Sequence, residues 1–238
     1  MALTFPLTEE DVLRLASVRT AEDFFAFSLD GPTEFDAKLR EPAGIPGTFE
    51  DLLALSGKAE RVDGRIFVVA PSNFEHAETQ SLVLGLIQGY VAIRRLGHVV
   101  GERFLLRLDG EIQRSPDVAF FRPESLGRVH LTYVEGGADF VVEIVSPSSA
   151  KIDRIKKRAE YAAAGIEEYL IVDPTSREVE LLRLKGGEYR PVAPDAVGRL
   201  HSSAITGFWL RPEWPLSGRS AYELVGEILA AEGDGPTK

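Results

Sequence analysis

Apolar positions along this chain change their spacing repeatedly, and each change marks an element. Ala77, Leu82, Leu84, Leu86, Ile87, Val91 and Ile93 recur as a helix face does, predicting a long helix over 73–96 that Gly97 stops. Upstream, Thr48 with Asp51 three residues later predicts a capped helix through Leu55. Residues 61–62 and 66–69 flank Asp63-Gly64, a pair that supplies the positive φ angles of a tight hairpin turn. Residues 99–108 read as one strand, followed by the turn Asp109-Gly110. Two short apolar runs, 117–121 and 140–145, read as strands separated by a polar excursion. Ser148 or Ser149 can cap a helix reaching Ala164, with Gly165 as its stop. Then come a strand over 168–172 and a hairpin of 179–184 and 189–192 about Gly186-Gly187. Residues 221–231 form a last helix. The order predicts an α/β fold with a mixed sheet.

Punctuation divides the chain into three parts. Gly31-Pro32 and the breakers from Pro42 to Gly47 set off residues 1–47 as a helical appendage. Residues 48–215 carry the main domain, and 216–238 a terminal helix and polar tail. The 238 residues are 44% hydrophobic and 27% charged, enough for one domain with a real core. With no cysteine, disulfides and cysteine-ligated zinc are excluded, which is compatible with a cytoplasmic protein. No apolar run approaches the ~20 residues that span a bilayer, and the amino end lacks the features of a secretory signal. The net charge of −10 disfavours broad, non-specific attraction to nucleic acid, leaving only local basic patches such as 151–158.

Two acids stand inside apolar strands: Asp117 opens one and Glu143 ends Phe140-Val141-Val142. A buried acid needs a cation, a proton or a metal. Carboxylates with a main-chain carbonyl are normal Mg²⁺ ligands, and Ile144 offers the carbonyl that follows Glu143. On spacing alone the plainer outcome is favoured, with Asp117 capping a turn after Pro116 and Glu143 paired with an arginine. On the basic helix, Asp153, Lys157 and Tyr161 form one stripe, while Ile152, Ile155, Ala159 and Ala162 form an apolar one. Periodicity does not decide whether Lys156 or Lys157 points inward. Glu60 reads locally as an exposed strand-end acid, His76 as a surface or capping histidine, and Gly85 and Gly89 as marks of close packing.

Together the runs Ser115-Pro116-Asp117-Val118-Ala119 and 139–148, Lys157 with Tyr161 and Gly165, and 166–174 resemble the Uma-two family of restriction endonuclease-like proteins. Glu60, Val62-Asp63-Gly64 and His76 fit the same pattern, which covers roughly 48–213. The resemblance implies a restriction endonuclease-like mixed central sheet flanked by helices, with one divalent-metal site. It implies a metal-dependent endonuclease that hydrolyses DNA. Asp117, Glu143 and the Ile144 carbonyl would hold Mg²⁺ or Mn²⁺, Lys157 would be the catalytic lysine, and Glu60 a supporting acid. The usual pattern puts lysine two residues after the second acid, where this chain has Val145; the matching lysine has moved to the next helix. A homodimer is expected of an enzyme that cuts both strands. The alternative is a non-catalytic binding module that keeps the fold.

Overall fold

A computed structural model describes residues 44–233 apart from 56, 70, 71 and 148. The helices expected within 1–43 lie outside the described residues. In chain order the first elements are β1 (Ile45–Pro46), α1 (Phe49–Leu53), β2 (Ala59–Val62), β3 (Arg65–Val68) and α2 (Phe74–Arg94). Strands β4 (His98–Gly101), β5 (Leu105–Arg107), β6 (Ile112–Arg114), β7 (Val118–Phe121), β8 (Tyr133–Glu135) and β9 (Phe140–Ile144) follow. Next is a helix that opens with a wide π-type turn over Ile152–Lys157 and continues as α3 (Arg158–Ala163). The chain ends with β10 (Glu168–Asp173), β11 (Glu178–Lys185), β12 (Glu188–Pro191), the short pair β13 (Leu200–His201) and β14 (Trp209–Leu210), and α4 (Ala221–Gly233).

The sequence signals act where expected. Thr48 and Asp51 form a reciprocal capping box on α1. Asp63 and Gly64 both take positive φ between β2 and β3. Asn73 caps α2, but the helix ends at Arg95 in the left-handed region rather than at the expected Gly97. Gly186 and Gly187, also at positive φ, turn β11 into β12. The serine cap of the basic helix differs: Ser146 Oγ accepts the Ser149 N–H.

Instead of one central sheet there are two of six strands. The first runs β1-β3-β2-β6-β5-β8, the second β12-β11-β10-β9-β7-β4. Each is mixed, with β5 parallel to β8 and β9 parallel to β10. The strand expected over 99–108 is broken at Glu102-Arg103, where Arg103 takes φ +74°, so β4 and β5 join different sheets. The chain crosses the same seam again between β6 and β7, through Ser115-Pro116-Asp117. Strands β6 and β8 escaped sequence reading because three residues carry too little periodicity.

Both faces of the second sheet are buried. On one, Val118, Phe120, Phe140, Val142 and Leu170 pack against Leu86, Ile87 and Tyr90 of α2, with Leu224 and Ile228 of α4 behind. Gly85 and Gly89 permit that layer: an added Cβ would lie 3.1 Å from Ala221 Cβ or 3.3 Å from Val225 Cγ2. The opposite face carries Ala119, Phe121, Val141, Tyr161 and Tyr169. Alternation along β7 and β9 puts Asp117 and Glu143 on this second face.

Candidate active site

Strand register brings the two acids together. Strands β7 and β9 pair antiparallel with Val118 opposite Val142 and Ala119 opposite Val141. The paired register ends there: the Asp117 N–H also donates to the Val142 carbonyl at 3.1 Å, and its Oδ2 accepts from the Ile144 N–H, which sets Asp117 beside Glu143. Both acids are 2% exposed.

The basic helix closes over them. Lys157 Nζ lies 2.9 Å from Glu143 Oε1, 3.1 Å from Asp153 Oδ1 and 3.3 Å from Glu60 Oε1. Tyr161 donates its hydroxyl to Glu143 Oε1 at 2.6 Å. The stripe of Asp153, Lys157 and Tyr161 is therefore the buried one. The apolar stripe is mixed: Ile155 is 62% exposed and Ala159 is exposed, while Ala162 packs partly against the core. The polar side wins because it satisfies charges already buried on the sheet. Lys156 is exposed, which settles the inward lysine as Lys157.

Glu60 arrives from the first sheet, buried rather than exposed. It accepts from Arg114 at 2.7 Å and from the Ser115 N–H at 3.1 Å, while Arg114 makes two further 2.7 Å bonds to Glu160 on α3. Strand β6 and helix α3 are thus joined beside the site. Asp117 is held on both oxygens. Oδ2 accepts the Ile144 N–H at 2.7 Å, and Oδ1 meets Lys58 Nζ at 2.6 Å, with His76 Nε2 3.7 Å away. The plainer outcome, an arginine partner for Glu143, does not occur; both acids sit on lysines.

The charges are unequal. Glu60, Asp117, Glu143 and Asp153 face Lys58, Lys157 and Arg114, and Arg114 is shared with Glu160. Burial pushes the Glu143 carboxyl up to about 8, with Lys157 opposing and the neighbouring acids adding to the rise. Burial would also raise Glu60, but the Lys157 and Arg114 cations outweigh it and bring the group to about 2. At Asp117 burial is likewise overcome, by His76, Lys58 and the Ile144 N–H, and the carboxyl sits well below the usual range. Burial alone would lower Lys157, yet its carboxylates hold it well above the usual lysine value.

This donor set suits a hard divalent cation. It has two neighbouring carboxyl groups in a cluster whose acids outnumber its cations. N–H and C=O of one residue in a strand point to the same side, so the Ile144 carbonyl is turned toward Asp117 with its N–H. Among the described residues no three acid or imidazole side chains converge into a ready metal cluster. A cation on Asp117 and Glu143 would take its other ligands from that carbonyl and water, as Mg²⁺ commonly does.

Sequence reading missed Lys58, Arg114 and Glu160, and it took His76 for a surface or capping group although its Nδ1 is buried with no hydrogen-bond partner among the described residues. One signal was available for Lys58: it stands two residues before Glu60, on the same side of an extended segment.

The chain matches the Uma2 family model, described as "Putative restriction endonuclease", over residues 48–213. No curated protein matches it. Among solved structures, a crystal structure titled as a "putative nuclease belonging to DUF820" from Anabaena variabilis aligns with a TM-score of 0.61 at 20% identity. The alignment covers 73% of this chain and 99% of that one. The likeness supports the fold, α/β with mixed sheets flanked by helices. With well over half its length inside the family match, and the acids of that pattern gathered at one seam between two sheets, this chain belongs to the Uma2 family of restriction endonuclease-like proteins.

Proposed function

We propose that the protein is a metal-dependent endonuclease that hydrolyses phosphodiester bonds of DNA. The observation that carries this reading is the meeting of Asp117, Glu143 and Lys157 at one buried point, with Glu60 behind the lysine. Asp117, Glu143 and the Ile144 carbonyl would hold Mg²⁺ or Mn²⁺. A cation there would polarise a phosphoryl oxygen and lower the pKa of bound water.

The chain's own groups do the rest. Lys157 keeps its charge because its carboxylates stabilise the ammonium. It can therefore orient the attacking water by hydrogen bonding and offset charge developing on the phosphoryl oxygens. Glu60 fixes Lys157 and is itself fixed by Arg114 and the Ser115 N–H. Tyr161 holds Glu143 in one rotamer. Arg154 is less suited to substrate than its position suggests, because Asp173 and Glu178 hold its guanidinium.

Cleavage of supercoiled plasmid in Mg²⁺ or Mn²⁺ tests the proposal. Activity should vanish in Asp117→Ala and Glu143→Ala, and equal activity in those variants would assign it to a contaminant. A non-catalytic binding module is the second reading. It is favoured by Lys58 against Asp117 and by the net charge of −10. It predicts DNA or protein binding without cleavage in any cation. Two symmetric copies would suit duplex cutting, and sedimentation tests that state.

A further inference from the structure

Resting on the metal-dependent reading above, we propose that Lys58 is a resident counter-cation of the site. Its ammonium and a divalent cation occupy Asp117 Oδ1 in turn, so metal entry displaces the lysine. The geometry carries the argument. Lys58 Nζ touches Asp117 Oδ1 at 2.6 Å, while Oδ2 is committed to the Ile144 N–H. The ammonium therefore stands on the carboxylate oxygen that the cation needs. Two cations sharing one buried carboxylate would repel strongly, because the protein interior screens charge poorly.

The surroundings give the lysine somewhere to go. Its side chain lines a cavity of about 180 Å³ together with Arg103, Ser115 and Thr132, over a floor that includes Leu52 and Leu105. Glu102 lies 3.7 Å from Nζ, half-exposed, on the turn that breaks β4 from β5. A rotamer change moves the ammonium from Asp117 toward Glu102 and the open side without moving the backbone, whose Lys58 carbonyl is fixed by the Val69 N–H at 2.9 Å. In the metal-free protein Lys58 keeps the Asp117 carboxylate paired and its face of the site compact. Lys58 is thus a positioning residue that sets the threshold cation concentration for loading.

The test is direct Mn²⁺ binding at fixed pH, read from the loss of the free-ion electron paramagnetic resonance signal. Lys58→Met should bind Mn²⁺ about tenfold or more tightly than the unaltered protein, the order expected when an opposing unit charge leaves a part-buried site. Lys58→Arg, which keeps the charge, should bind no more tightly than the unaltered protein. Lys58→Met should also melt at a lower temperature without metal, with the gap closing at saturating Mn²⁺. Lys58→Gln, which keeps an N–H donor for Asp117, covers the case in which methionine prevents folding. Equal or weaker binding by both neutral variants, with Asp117→Asn still abolishing binding, overturns the counter-cation role alone. If no variant binds Mn²⁺ in an Asp117-dependent way, the role of Lys58 and the metal-dependent reading fall together.

Discussion

Replacing Arg114 with methionine isolates the strut behind the site. Arg114 is 4% exposed and spans from β6 to α3, bonding Glu60 at 2.7 Å and Glu160 twice at 2.7 Å. Glu60 falls from 4.5 to about 2 in the folded protein, against burial, with Lys157 the larger favourable cause and Arg114 the next. That fall corresponds to about 3 kcal/mol of stability at neutral pH; taken separately, the single Arg114–Glu60 hydrogen bond is worth about 1 kcal/mol. Losing the bidentate bonds to Glu160 adds about 1–2 kcal/mol, since charged hydrogen bonds of this kind are the strong ones. The total of about 2–3 kcal/mol should lower Tm by about 4–12 °C for a chain of this size. The folded pKa of Glu60 is depressed, so its contribution is full above about 4.5 and is lost as pH falls toward 2. Urea unfolding of the unaltered protein, Arg114→Met, Glu60→Gln and the double variant, at pH 7 and pH 4, measures each part. Glu60→Gln should recover some stability in the Arg114→Met background, with less loss on acidification. An Arg114→Met protein within 0.5 kcal/mol of the parent, or strict additivity with Glu60→Gln, would refute the reasoning.

Lys157→Met leaves Glu143, Glu60 and Asp153 without their shared cation, so it should abolish cleavage and cost about 3–5 kcal/mol by urea unfolding. Lys156→Met, on the exposed side, should stay within about 0.5 kcal/mol. Because Glu143 is raised to about 8, cation binding must displace a proton, so Mn²⁺ affinity should climb from pH 6 to 8 and level off above; calorimetric titration showing a flat profile would contradict this. Gly85→Leu should press on Ala221 and destabilise by about 1–3 kcal/mol, whereas Gly57→Ala, with no described residue within 4 Å of the added carbon, should be close to neutral in thermal melts.

Much of the fold was legible because the relevant signals are local. Capping by Thr48 and Asn73, the Asp63-Gly64 turn and the Gly186-Gly187 turn each rest on a few adjacent residues. The seam between two sheets was not. A single positive φ at Arg103 turns one apparent strand into two, and an arginine carries no sequence mark of that conformation. The candidate site was legible in its acids, because charge inside apolar strands is conspicuous. Part of its support was hidden: Glu60 came only from the family resemblance, and Arg114 and Lys58 look like ordinary surface charges in the sequence, so only tertiary pairing across the seam explains where they sit. The basic helix shows the same limit. Periodicity offered two stripes and left Lys156 and Lys157 undecided, whereas the charges on the sheet beneath select Lys157 and leave Ile155 exposed.

Crystals grown with Mn²⁺ and measured at its absorption edge test the central claim most directly. The account predicts one anomalous peak within about 2.1 Å of Asp117 and Glu143 carboxylate oxygens and the Ile144 carbonyl, with Lys157 still bound to Glu60. Fully loaded crystals with no peak at these groups, and Lys58 still against Asp117, would contradict it.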